Sequence, residues 1–75
     1  MKTTIKIEVL GKSKGVYVSI GDHCIKTYDS FGKELYKVIR TAERYAERYI
    51  KKYYNDGGII ESYNEFSNLI TREEY

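Results

Sequence analysis

Few residues of this 75-residue chain are of types that do chemistry. His23 and Cys24 are its one histidine and one cysteine. Zinc needs three or four spaced ligands, and no second imidazole or thiol is present. A Cys–His dyad needs the two side chains to meet, whereas neighbours on a strand point to opposite faces. Gly11-Lys12-Ser13 matches the end of a phosphate-binding P-loop. Lys6 stands where that motif needs its first glycine, and a strand rather than a helix is expected to follow. Carboxylates pair at Glu43/Glu47 and Glu73/Glu74. The first pair alternates with Arg and Lys as on an ordinary helix surface, and the second lies at the end of the chain. Neither reads as a desolvated acid/base couple. The expectation is a non-enzymatic protein with no catalytic residue, no bound metal and no cofactor.

Two other sets of residues carry contact chemistry instead. Lys33, Lys37, Arg40, Arg44, Arg48 and Lys51 recur at three- and four-residue steps and share one side of a helical wheel, with Glu34, Glu43 and Glu47 on its flanks. A plain solvated face explains such a stripe, but its single sign over five turns also suits docking to phosphates or to an acidic protein. Nine tyrosines form the second set. Tyr49 and Tyr53 fall on the apolar side of the helix and read as core, and Tyr63 is a further core candidate. Tyr17, Tyr28, Tyr36, Tyr54 and Tyr75 read as outward. Tyrosine suits contact surfaces because it offers area and a hydroxyl at modest entropy cost. Tyr17 and Tyr28 are expected beside Lys6 and Lys26 on an open sheet face, where they could stack and neutralise a nucleic-acid strand, form a protein interface, or simply solubilise the sheet.

The elements that position these sets follow from periodicity. Ile5, Ile7 and Val9 alternate with Thr4, Lys6 and Glu8, giving a strand over about 3–10. Further strands are expected at about 15–20 and 23–28, with Gly21-Asp22 closing a hairpin. The turns pair Val9 with Val16, Ile7 with Val18, Ile5 with Ile20, Ile20 with His23, Val18 with Ile25 and Val16 with Thr27. From Asp29 or Ser30 as cap, Phe31, Leu35, Val38, Ile39, Ala42, Ala46, Tyr49, Ile50 and Tyr53 predict a helix over about 30–56 that covers the apolar sheet face. Ala42 and Ala46 let it approach closely, and Gly57 ends it. Ala-Glu-Arg-Tyr occurs twice, at 42–45 and 46–49. Ser62-x-x-Glu65 is a capping-box pattern, so a short helix is expected over about 62–73, with Ile59-Ile60 as a connection or brief edge strand. The expected fold is α+β: a three-stranded antiparallel meander under one long helix, plus a short C-terminal helix, in a single domain spanning 1–75.

Composition sets the remaining limits. Ile, Val, Leu and Phe make up about a quarter of the chain, enough for a folded core. Neither an apolar membrane span nor a secretory apolar segment is present, and a lone cysteine suits a cytoplasmic setting. The net charge of +2 divides into a basic middle and an acidic final stretch, Glu61, Glu65, Glu73 and Glu74 against Arg72. In strand order, Gly15-Val16-Tyr17-Val18 and Tyr28-Asp29-Ser30-Phe31-Gly32 running into the helix resemble the sheet-plus-helix, arm-binding domains of tyrosine recombinases. That resemblance implies DNA binding through the open sheet face. In size and architecture the chain is also similar to phage-encoded anti-CRISPR proteins, which implies an inhibitor acting by occlusion. The leading expectation is a protein-binding module, an inhibitor or adaptor of a phage or mobile element; a DNA- or RNA-binding domain is the alternative. A homodimer is a further expected state, since a small core gains from burying more apolar surface.

Overall fold

The computed structural model describes residues 2–11 and 14–75. Lys12 and Ser13 of the P-loop-like tripeptide lie outside the described residues. The elements are β1 (Thr3–Gly11), β2 (Gly15–Ile20), β3 (His23–Tyr28), α1 (Leu35–Tyr53), β4 (Gly58–Tyr63) and β5 (Leu69–Glu74). They form one five-stranded mixed sheet in the order β3-β2-β1-β4-β5, with α1 against one face. The first hairpin has the register its alternation dictates: Ile5 faces Ile20, Ile7 faces Val18 and Val9 faces Val16. These residues are buried except Ile20, which is half-buried. Beneath the helix they meet Val38, Ala42, Ala46, Ile50 and Ile60. Ala42 and Ala46 are fully buried, so the helix axis comes close to the strands.

The expected meander with two helices is incorrect. Residues 58–74 form β4 and β5, an antiparallel hairpin, and β4 pairs in parallel with β1, Ile5 beside Ile60. A meander would have left one edge of β1 unpaired, and its backbone groups find partners in β4. Gly58, Ile60 and Ser62 alternate inward along β4, a period of two that the capping-box pattern obscured. Ser62 does not cap a helix; its hydroxyl is buried and donates to Glu43 Oε2 at 2.8 Å. Asn64 does the local work instead. Its Oδ1 accepts from the Phe66 and Asn68 amides, and Ser67 adopts φ 64°, which closes a turn rather than opening a helix. The likeness to a three-stranded DNA-binding domain therefore stops at β1, whose second edge is taken.

Two boundaries also move. The helix starts at Leu35, not near residue 30. Asp29 Oδ1 accepts from the Phe31 amide, Ser30 turns inward to accept from the Gly15 amide at 3.0 Å, and Gly32 has φ 72°. These three residues build a turn, and Phe31 is left 73% exposed. The helix ends at Tyr53, and Gly57 takes the expected positive φ of 88°. In β3 the register slips: Ile20 faces His23 and Ser19 faces Cys24, but a bulge then sets Val18 opposite Lys26 and Val16 opposite Tyr28. Val16 and Val18 lie under the helix, so Lys26 and Tyr28 lie on the helix side. Their expected place on the open face is a second correction, caused by one extra residue.

Candidate functional site

The helix reads as a four-residue repeat with four rows. Val38, Ala42, Ala46 and Ile50 are its buried residues. One position on, Ile39, Glu43, Glu47 and Lys51 face the β4–β5 side. Next come Arg40, Arg44, Arg48 and Lys52, all exposed. Thr41, Tyr45, Tyr49 and Tyr53 follow on the β3 side. Four residues turn the helix by slightly more than one revolution, so each row stays continuous while drifting about 40° per step. The Ala-Glu-Arg-Tyr echo is the centre of this pattern: Ala packs, Glu clips, Arg faces out and Tyr lines the flank.

The clip is specific. Glu43 Oε2 accepts from Ser62 at 2.8 Å and from Thr71 at 3.0 Å, tying α1 to β4 and β5. Glu47 pairs with Lys51 at 3.3 Å, and Glu34 with Lys37 at 3.8 Å. Arg40, Arg44 and Arg48 have no carboxylate within ion-pair distance among the described residues. Of the six residues predicted for the helix face, Arg40, Arg44 and Arg48 thus form an unpaired row. Lys37 and Lys51 are paired at its sides, and Lys33 lies in the turn before the helix.

Beside the arginines runs a ladder of rings. Centroid distances are 6.5 Å for Tyr28–Tyr45, 6.1 Å for Tyr45–Tyr49 and 4.6 Å for Tyr49–Tyr53, with Tyr54 at 6.1 Å from Tyr49. Lys26 Nζ sits 5.7 Å from the Tyr28 centroid and 5.8 Å from that of Tyr45, and Lys52 Nζ lies 5.2 Å from that of Tyr53. Burial pushes the Tyr28 phenol above its ordinary value, aided by Tyr45 and opposed by the Arg48 charge. Tyr49 is raised by burial and then by Tyr54, Tyr53 and Tyr45. A depression of about 300 Å³ lies among Tyr45, Arg48, Tyr49, Lys52 and Tyr53. Of the two tyrosines expected in the core, Tyr49 is half-buried against it, and Tyr45 and Lys52, for which the sequence raises no expectation, join the same surface. Tyr53 is in fact 57% exposed. The missed signal is the i, i+4 spacing of Tyr45, Tyr49 and Tyr53.

The open sheet face is different. Lys6 and Tyr17 are there, without Lys26 and Tyr28. Lys6 stands between Ser19 and Glu61 on adjacent strands, and Glu8 faces Tyr17. Lys6 Nζ lies 5.9 Å from the Tyr63 centroid, and the Tyr63 hydroxyl donates to Glu61. That bond leads the causes raising the Tyr63 phenol, ahead of burial. Arg72 pairs with Glu61 and Glu74, and Lys2 with Glu74. Arg72, Lys2, Glu61 and Glu74 are thus paired with one another on this face. Exposed Cys24 bonds weakly to the Lys26 carbonyl, and no cluster of three or more His, Cys, Asp or Glu is placed to hold a metal ion among the described residues. No helix is long and apolar enough to cross a membrane, again among the described residues. Compared with protein-family models, curated proteins and solved structures, the chain matches none.

Proposed function

We propose that this protein is a small non-enzymatic protein-binding module that docks on an acidic partner through the outer and β3-side faces of α1. The observation that carries the reading is the row Arg40, Arg44, Arg48, which has no carboxylate partner among the described residues, while the neighbouring carboxylates Glu34, Glu43 and Glu47 are engaged by Lys37, by Ser62 and Thr71, and by Lys51. Guanidinium groups held in a row present charge-assisted donors to carboxylates. The adjoining tyrosines add rigid contact area with hydroxyl tips. The mode of action is occlusion by an inhibitor or adaptor, and a cytoplasmic setting suits the free thiol. Nucleic-acid binding is the competing reading, and the same arginine row favours it. The open sheet face supports it poorly, because Arg72 already pairs with Glu61 and Glu74 there and Lys6 lies over the Tyr63 ring.

Fluorescence anisotropy at low salt tests the reading with two labelled probes, a glutamate-rich dodecapeptide and a twelve-residue oligothymidylate. The peptide should bind, and the double change Arg44→Glu/Arg48→Glu should weaken it by about tenfold or more. Failure of the peptide to bind, or equal binding by the variant, would refute the reading. Tighter binding of the oligonucleotide would transfer the surface to nucleic acid.

A further inference from the structure

The surface around β3 allows the form of the acidic partner to be specified. β3 ends the sheet order, so its outer edge carries backbone groups with no strand partner among the described residues. The helix packs chiefly over β1, β2 and β4 and covers the helix side of β3 only in part, with Ile25 and Tyr28 half-buried against the core. The tyrosine row of α1 overhangs that strip, touching it through Tyr28 and Tyr45. A second depression of about 420 Å³ extends the strip toward the start of the helix, bordered by Tyr28, Asp29, Lys33, Glu34, Lys37 and Thr41. Lys26, Arg48 and Lys52 line the flank without a carboxylate partner among the described residues.

We infer that the partner element is an extended acidic polypeptide segment that adds to the edge of β3, with alternate carboxylate side chains beneath the tyrosine row, held by Lys26, Arg48 and Lys52. This inference rests on the protein-binding reading above. Strand addition supplies main-chain hydrogen bonds, and the period of two directs every second side chain to the helix side. Six residues of β3 accommodate a segment of about 20 Å. The chemistry favours carboxylates over nucleobases. Ammonium groups of Lys26 and Lys52 already lie near the rings of Tyr28, Tyr45 and Tyr53, on which bases would stack. The tilted rings, 39° and 48° apart, leave no parallel slot between them. Hydroxyl and ammonium donors remain, and both suit carboxylates.

The test uses three labelled probes at low salt: an alternating Glu-Val dodecapeptide, the same peptide with every second amide N-methylated along one edge in either phase, and a twelve-residue oligothymidylate. Strand addition predicts that the parent peptide binds and that one N-methylated phase loses about tenfold or more in affinity while the other retains it. Lys26→Glu, a change on β3 itself rather than on α1, should weaken the parent peptide by about fivefold or more. Equal binding of both methylated phases and no effect of Lys26→Glu would overturn the strand-addition inference and leave the protein-binding reading intact. No binding of the parent peptide would overturn both, as would preference for the oligonucleotide. Light scattering on the protein alone is the last arm: a dimer that Lys26→Glu dissolves would give the β3 edge to a second copy and overturn the inference.

Discussion

Single polar side chains decide how the helix and sheet are joined. Glu43 is the clearest case, since it accepts from both Ser62 and Thr71. Glu43→Ala would leave the buried Ser62 hydroxyl without its acceptor, so urea denaturation should show a loss of about 1–3 kcal/mol. Ser30→Ala should cost a similar amount, about 1–3 kcal/mol, because the Gly15 amide loses its acceptor inside the protein. Tyr75 supplies a pH prediction. Burial first, then the hydrogen bond to Glu73 and the charges of Glu47, Glu73 and Glu43, push its phenol from 10.0 up to about 12. The folded state holds the proton more tightly than the unfolded chain. Its stabilising contribution is therefore full below about pH 10 and is lost as pH rises through about 12. Tyr28, Tyr49 and Tyr63 shift in the same direction. Ultraviolet titration should show a late-ionising tyrosine that disappears in Tyr75→Phe. Completion of the titration near pH 10, unchanged by that substitution, would contradict the packing described for Tyr75. The Glu43 and Ser30 pairings were not legible in the sequence, because each joins residues from different elements.

At the scale of elements, the sharpest test concerns the tail. One 19-residue helix in 75 residues gives about a quarter helix, whereas helices over 30–56 and 62–73 would give about half. Far-ultraviolet circular dichroism separates the two, and the lower value is expected. The glycines make a second test. At Gly57 a β-carbon would overlap the Tyr75 carbonyl oxygen, and φ is 88°. Gly57→Ala should therefore cost about 2 kcal/mol or more, against about 1 kcal/mol for Gly21→Ala, where φ is 58° and no atom stands within 4 Å. Strong periodicity made β1, β2 and most of α1 readable: Ile5-x-Ile7-x-Val9 and the Val38–Ile50 core row admit one reading each. The rest was hidden by local ambiguity. Ser62-x-x-Glu65 favours a helix start, and only the open edge of β1, a tertiary fact, makes Gly58–Tyr63 a strand. The bulge in β3 carries no mark in Cys24-Ile25-Lys26, yet it moves Lys26 and Tyr28 to the other face.

For the whole molecule, the arrangement separates two kinds of surface. The open sheet face is a closed network of Lys6, Glu61, Tyr63, Arg72 and Glu74, and the β4–β5 side of the helix is tied down by Glu43. Uncompensated charge and partly exposed tyrosine gather on the remaining side, where α1 overhangs β3. The basic row was visible in the sequence as Arg40, Arg44 and Arg48, but its neighbour was not. Tyr49 and Tyr53 both fall on a stripe about 120° wide, but only Tyr49 packs half-buried against the core, while Tyr53 is exposed. Proton–nitrogen correlation spectra recorded while the glutamate-rich dodecapeptide is added test this division directly. The account predicts shifts concentrated at Lys26, Tyr28, Arg44, Tyr45, Arg48, Tyr49 and Lys52, with Lys6, Tyr17 and Arg72 unmoved. Shifts confined to Lys6, Tyr17 and Arg72 would contradict it.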